Sequence, residues 1–350
     1  MRIVVAMSGG VDSSVVAGLM ARAGHEVIGL TLQLYDHGAA VGRKGACCAG
    51  ADIHDAKRVA DRLGIAHYVI DSEEKFKKSV ISAFADGYAA GQTPVPCIAC
   101  NQHLKFGDLL EMARELGAEA LATGHYVRRL EGENGAELHQ AVDAARDQSW
   151  FLFATTRAQL EFCRFPLGEY ESKAQVRELA TQMGLNVAAK PDSQDICFVP
   201  NGSYTEIIEK FRPDALLQGE IVDMEGVVLG SHQGIARYTV GQAKRLGNAA
   251  QQGALGQVVR EIDPATRRIT IGPRTDAGRE IKLRDLNWLL EPPTERPLRA
   301  SARLRARDNL RPASIYADGR IILDEPALAA PGQAAVFYQG SRILGGGFIV

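Results

Sequence analysis

The sequence predicts an α/β fold: an N-terminal parallel-sheet domain over residues 1–205, then two small β-rich domains over 206–275 and 276–350. Three observations predict it. The first two hundred residues alternate short apolar runs with runs of helical period, the pattern of βαβ units. A glycine turn, Ser8-Gly9-Gly10, joins the first apolar run to the first helical one. Beyond residue 205 the helical period gives way to short strand-like runs broken by Gly, Asp and Pro.

Taken in order, Ile3-Val4-Val5-Ala6-Met7 reads as a buried strand and Ser14 to Ala21 as a helix. Val27 to Leu32 is a second strand. Ile53, Ala56, Val59, Ala60 and Leu63 recur at helical spacing, and Gly64 stops that helix. His67 to Ile70 is a third strand and Phe76 to Ala90 a helix, followed by a loop broken by Pro94 and Pro96. Leu104 to Leu116 is helical, and Ala120 to Thr123 is a fourth strand ending at Gly124-His125. In a parallel sheet, ligands bind beyond the carboxyl ends of the strands. Ser8 to Ser13, Leu32 to Tyr35 and Thr123 to His125 are therefore expected to converge on one pocket.

Strand-like runs in the C-terminal part are Ser301–Arg307, Ala313–Ala317, Ile321–Asp324, Ala334–Tyr338 and Ile343–Val350, a small barrel or roll. A stiff connector, residues 291–297, carries Pro292, Pro293 and Pro297. Arg303, Arg305 and Arg307 alternate, which in a strand would put all three on one face, with Arg299 and Arg311 flanking. Arginine forks suit phosphate.

Whole-chain properties bound the function. At 350 residues more than one domain is expected. With 46% hydrophobic and 23% charged residues the composition is globular, and a net charge of −2 leaves any nucleic-acid contact to local basic surfaces. No apolar run is long enough to span a membrane, and Met1-Arg2 runs straight into the first strand, so a cytoplasmic protein is expected. Nothing calls for an obligate dimer, and a monomer is expected.

A strand, a glycine turn with hydroxyls and a helix N-terminus make an anion site, because backbone N–H groups can approach phosphate oxygens and the helix dipole favours negative charge. The Lys of a Walker A motif and the G-x-G-x-x-G of a dinucleotide site are both absent here. Ser8-Gly9-Gly10-Val11-Asp12-Ser13 instead resembles the PP-loop of N-type ATP pyrophosphatases, which cleave ATP to AMP and pyrophosphate and so turn an oxygen into a leaving group.

The six cysteines are Cys47, Cys48, Cys97, Cys100, Cys163 and Cys197; in a 350-residue chain expected in the cytoplasm they do not read as a disulfide framework, and their clustering suggests chemistry instead. Cys100 lies just before the helix expected at Leu104, where the dipole favours thiolate. Cys197 follows Lys190-Pro191-Asp192, and Lys190 supplies a nearby positive charge. Cys163, in an apolar run, reads as a buried hydrophobe, and Cys47 and Cys48 carry no assigned role.

With these loops in view the chain resembles the tRNA-specific 2-thiouridylase family. The resemblance rests on Ala6 to Ser13, Pro96 to Asn101, Asp192 to Phe198, Tyr238 to Gln242 and Pro331 to Tyr338, in family order over nearly the whole length. It implies that ATP, with Mg2+, adenylates the C2 oxygen of a wobble uridine in tRNA, and that sulfur replaces the activated oxygen as AMP leaves. The resemblance places ATP on Ala6, Met7, Ser8, Gly9, Gly10, Val11, Asp12, Ser13, Leu32 and Gly124, with Asp12 helping to arrange Mg2+ or the pyrophosphate. It implies a persulfide on Cys197, fed by a cysteine desulfurase or a relay protein, and Cys100 as the nucleophile that becomes disulfide-linked to Cys197 as sulfur is released. Target-base and tRNA contacts carry over to Cys97, Ile98, Ala99, His125, Arg146, Asp147, Gln148 and Gln333, beside Arg305 and Arg307 from the basic segment. One departure stands out. Many family members have Asp where this chain has Cys97, and the resulting Cys97-x-x-Cys100, with Cys197, offers three thiolates, enough for an iron–sulfur cluster with one open iron. Two other functions fit the PP-loop alone: a ligase acting on a small metabolite, which needs no paired cysteines, and a non-catalytic RNA-binding module.

Overall fold

The structure is a computed structural model that describes residues 1–34, 48–192, 196–199, 203–246, 256–275 and 277–350. Tyr35, Cys47 and Ser193 to Asp195, named above, lie outside the described residues. The chain divides into two compact units. One comprises Met1–Val80, Cys97–Phe198 and Gly340–Leu344, the other Ile81–Pro96, Val199–Gln339 and Gly345–Val350.

The first unit is built on a five-stranded sheet of β1 (Arg2–Ala6), β2 (Glu26–Gln33), β3 (Ala66–Asp71), β4 (Ala120–Ala122) and β7 (Cys163–Arg164). Its order is β3-β2-β1-β4-β7, and every pairing is parallel. Val4 and Val5 are fully buried, as a central strand covered on both faces requires. Helices α1 (Val11–Arg22) and α2 (Cys48–Leu63) supply covering layers, through Val11, Val15, Val16 and Ala17 of the first and Ala56, Val59 and Ala60 of the second. Strand order reverses between β1 and β4, so the crevice opens beyond the ends of these two strands. A hairpin of β5 (Val127–Gly132) and β6 (Gly135–Gln140) follows β4, and the sequence patterns did not mark it.

Helical residues continue from Pro96–Cys100 through a wider π-type stretch, Asn101–Asp108, into Leu109–Glu115. Leu104, Phe106, Leu109, Leu110 and Ala113 are buried, as are Ile98, Cys100 and Asn101 in the turns before them.

In the second unit, β8 (Gly219–Val222), β9 (Val228–His232), β10 (Gln257–Asp263) and β11 (Arg268–Pro273) form a four-stranded sheet in the order β10-β11-β8-β9. Ile221, Val259, Ile269 and Ile271 form its core with Tyr238, Val240 and Leu246. The remaining strands are β12 (Gly278–Ile281), β13 (Leu283–Trp288), β14 (Leu298–Arg303), β15 (Arg311–Ile315), β16 (Ile321–Ala327), β17 (Ala334–Gln339) and β18 (Arg342–Ile349). They pair antiparallel along β12-β16-β15-β14-β17, and β13 pairs with the last residues of β18.

One sequence expectation fails here. β14 ends at Arg303, and residues 304–308 form a bend and turn, so Arg305 and Arg307 do not alternate along a strand with Arg303. The guanidinium of Arg303 packs instead over the Tyr338 ring, 4.9 Å from its centroid.

Candidate active site

Residues 8–14 fold on their own hydroxyls. The Ser8 amide donates to Ser13 Oγ (3.0 Å), and Ser13 Oγ and Ser14 Oγ donate to the Gly10 carbonyl at 3.3 and 2.7 Å. Gly10 is the N-cap of α1 and no side chain caps the helix, so its first N–H groups are left to a ligand or to water. Gly9 has φ +73°, and a Cβ on it would lie 2.1 Å from the Asp52 carbonyl oxygen, so only glycine fits between the turn and α2. Gly124, two residues beyond β4, is also closely approached. A Cβ there would lie 2.9 Å from the Ser13 nitrogen and 3.0 Å from Asp12 Cβ. The strand-end residues Ser8 to Ser13 and Gly124 are thus brought together, as the parallel topology requires. Leu32, half-buried, lies near the carboxyl end of β2, while the side chains of Met7 and Val11 are buried.

Asp12 is the charged centre of this crevice. Tyr126 Oη donates to its Oδ1 at 2.7 Å, and Lys173 Nζ lies 2.6 Å from the same oxygen. Lys173 is also 3.0 Å from Asp192 Oδ1. Asp192 takes Arg146 at 2.8 Å and Arg177 at 2.9 Å as well. Burial alone would raise the Asp192 carboxyl, but hydrogen bonds and charge from Lys173 and Arg146 hold it below its ordinary value. Tyr126 is pushed upward by burial and then by Asp12, and stays a hydroxyl donor. Sequence reasoning missed both Lys173 and Tyr126.

Lys190 does not serve Cys197 as expected. Its ammonium donates to the Gly9 carbonyl (3.0 Å) and pairs with Asp52 and Asp55 of α2, each at 2.6 Å, so its charge goes to the glycine turn and the neighbouring helix.

Cys97, Cys100 and Cys197 all belong to the first unit and are free thiols; Cys97 and Cys197 are exposed residues and Cys100 is buried. Cys100 closes the helical turn Pro96–Cys100 rather than preceding a helix, and Cys97 occupies that turn's start. Burial raises the Cys100 thiol, with Lys105 pulling the other way, so the thiolate expected from a helix N-terminus is not favoured at rest. The atoms packed around its sulfur, then Cys100 and Cys97, push the Cys197 thiol up to about 12. That mutual influence puts the three sulfurs in one neighbourhood. Among the described residues no group of three His, Cys, Asp or Glu side chains is arranged to hold a single metal ion. Cys163 is buried in β7, its thiol raised to about 12 by that burial, as expected of a core cysteine.

Ile98 is fully buried, leaving Cys97 and the half-buried Ala99 as the accessible part of that stretch. His125 Nδ1 lies 2.8 Å from Thr123 Oγ1, and its ring packs near Phe106 and Phe165. Burial, then Lys105, lowers its pKa well below the ordinary histidine value, so the ring is neutral. Asp147 accepts from the amides of Ala141 and Ser149, and Gln148 Oε1 accepts from the Tyr126 amide, which fixes the Arg146–Gln148 turn beside Asp12 and Asp192.

In the second unit, Gln333 Nε2 donates to the Thr93 carbonyl (2.8 Å). Arg305, half-buried, donates to the Val240 carbonyl (2.9 Å), and Arg307 is exposed. Arg274, Arg305, Arg307 and Arg311 line one cleft with Asp308, a predominantly cationic surface.

The fold and site define a class: a parallel-sheet nucleotide domain whose strand–glycine turn–helix shares its compact unit with the thiols Cys100 and Cys197. The family model described as the tRNA methyl transferase HUP domain matches residues 1–201, that described as the tRNA methyl transferase PRC-barrel domain matches 205–273, and that described as the aminomethyltransferase beta-barrel domain matches 278–349. Over its full length the chain is 68% identical to the tRNA-specific 2-thiouridylase MnmA of Acidiphilium cryptum, covering 100% of both chains. It is 61% identical to the protein of that name from Gluconobacter oxydans, covering 100% of this chain and 99% of that one, and 58% identical to that from Paracoccus denitrificans, covering 99% and 91%. The chain belongs to the tRNA-specific 2-thiouridylase family.

Proposed function

We propose that this chain is a tRNA-uridine 2-sulfurtransferase that uses ATP to convert the wobble uridine of tRNA to 2-thiouridine. The coincidence in one compact unit of an uncapped phosphate loop and the thiols Cys100 and Cys197 carries the reading. The full-length relatives support it, and paired thiols suit sulfur transfer, whereas a methyl group would need neither.

The triphosphate of ATP meets the N–H groups of residues 8–13. The uridine C2 oxygen attacks the α-phosphorus, an O–P bond forms, and pyrophosphate leaves. Asp12, a partly exposed carboxylate within the phosphate loop, would hold Mg2+ as a hard oxygen donor, and the ion would neutralise phosphate charge. A persulfide donor, a cysteine desulfurase or a relay protein, loads Cys197. Cys100 attacks the inner sulfur of the Cys197 persulfide, the Cys100–Cys197 disulfide forms, and hydrosulfide is released. Hydrosulfide adds at C2, the C2–O bond breaks, and AMP leaves with the oxygen. A dithiol reductant then returns both cysteines to thiols. Because both resting thiols are raised, they stay protonated and inert until donor or substrate arrives.

The target base must leave its stack to reach this crevice. The arginine cleft is assigned to tRNA phosphates, with Arg146, Asp147, Gln148, His125 and Gln333 as further contacts. A monomer working in the cytoplasm suits the reading, and 1–205, 206–275 and 276–350 remain the proposed domains. The test is AMP formation from ATP and Mg2+. A thiouridylase makes AMP only when unmodified tRNA is present. A metabolite ligase would make it without tRNA and would survive joint Cys100→Ser and Cys197→Ser substitution, and an RNA-binding module would make none.

A further inference from the structure

We propose that Lys173 is a positioning residue that couples occupancy of the nucleotide loop to the segment carrying Cys197. The inference rests on the reading of Ser8 to Ser13 as the ATP site. Lys173 has a side chain only 10% exposed and opens the helix Lys173–Gln182, where the positive end of the dipole disfavours a cation. A cation so placed needs anionic partners, and it has two: Asp12 at 2.6 Å and Asp192 at 3.0 Å.

Those partners belong to different functional parts. Asp12 lies in the first turn of α1, and Asp192 lies five positions before Cys197 in the chain. Lys190, two residues before Asp192, is itself bonded to the Gly9 carbonyl. The strand of chain leading to Cys197 is therefore tied to the nucleotide loop at both ends of Lys190–Asp192. Nucleotide phosphates arriving at residues 8–13 compete with both carboxylates for the Lys173 ammonium. As that ammonium turns toward phosphate, Asp192 is left to Arg146 and Arg177, and Cys197, five positions on, is linked to a residue with one tie fewer to the nucleotide loop. ATP binding would thus alter the setting of Cys197, coordinating activation of the base with delivery of sulfur.

The experiment measures the iodoacetamide alkylation rate of Cys197, read by peptide mass spectrometry, with and without ATP·Mg2+, while ATP binding is titrated separately. Wild type should show an ATP-dependent rate change of about fivefold or more, the lower end of ordinary site-to-site coupling. Lys173→Met and Asp192→Asn should bind ATP and lose the change, and Lys173→Arg should restore it. Asp192→Asn leaves the Asp12–Lys173 pair in place, so the test survives if Lys173→Met fails to fold. Wild type that binds ATP without a change at Cys197, or an Asp192→Asn protein that keeps the change, overturns the coupling. Wild type that binds no ATP removes the functional reading, and the coupling with it.

Discussion

Replacing Gly9 by alanine tests whether the glycine turn, the proposed nucleotide loop, is built as described. At φ +73° an L-residue costs about 1–2 kcal/mol. The new Cβ would sit 2.1 Å from the Asp52 carbonyl oxygen, a backbone atom that no rotamer change can remove. To reach ordinary contact the turn or α2 must move by roughly an ångström, an overpacking cost of about 1–3 kcal/mol. Together these predict a loss of about 2–5 kcal/mol, which in a unit of this size lowers Tm by roughly 4–20 °C. Gly10→Ala is the matched control. Its Cβ would meet only Ser8 Oγ, at 3.5 Å, and its φ is −90°, so its cost should stay within about 1 kcal/mol. Thermal unfolding followed by circular dichroism, with an ATP titration of each variant, is the assay. Gly9→Ala should unfold early and bind ATP weakly. A Gly9→Ala protein with the Tm and ATP affinity of wild type would refute the geometry assigned to the turn.

Other expectations follow from the side chains. The alkylation rate of Cys197 should rise about tenfold per pH unit to pH 10, because its thiol is raised to about 12; a plateau near the ordinary value of about 8.5 contradicts this. Asp192 has a lowered carboxyl, so its stabilisation is present above the unfolded value of 3.8 and fades as pH falls through the folded one. Asp192→Asn should therefore lower Tm at pH 7 and show a shallower loss below pH 4; an unchanged neutral Tm argues against the charge cluster. Arg307→Ala with Arg311→Ala should weaken tRNA binding and reduce the slope of log affinity against log salt by about one to two, and an unchanged slope would remove the cleft from the tRNA surface.

Much of the site was legible because its signal is local. The strand, glycine turn and helix N-terminus at residues 2–22 are consecutive, and Gly124 follows from where a parallel strand must end. Lys173 and Tyr126 were invisible because their partner Asp12 lies 161 and 114 residues away, and no periodicity records such a meeting. The expected thiolate at Cys100 failed because burial, a tertiary property, opposes the local helix field. Lys190 was assigned to Cys197 by sequence proximity, but Asp52 and Asp55 of α2 are brought nearer by the fold. The arginine alternation failed where β14 stops at Arg303, yet Arg305, Arg307 and Arg311 still gather in one cleft through the turn that follows.

The most direct measurement of the central claim is the nucleoside content of tRNA after reaction. Protein, ATP, Mg2+, unmodified tRNA and a persulfide donor are incubated, and the RNA is digested and analysed by mass spectrometry. The account predicts 2-thiouridine with wild type and none with Cys100→Ser or Cys197→Ser. Unthiolated tRNA from protein that binds ATP and tRNA and accepts the persulfide, or thiolation that persists without both cysteines, would contradict it.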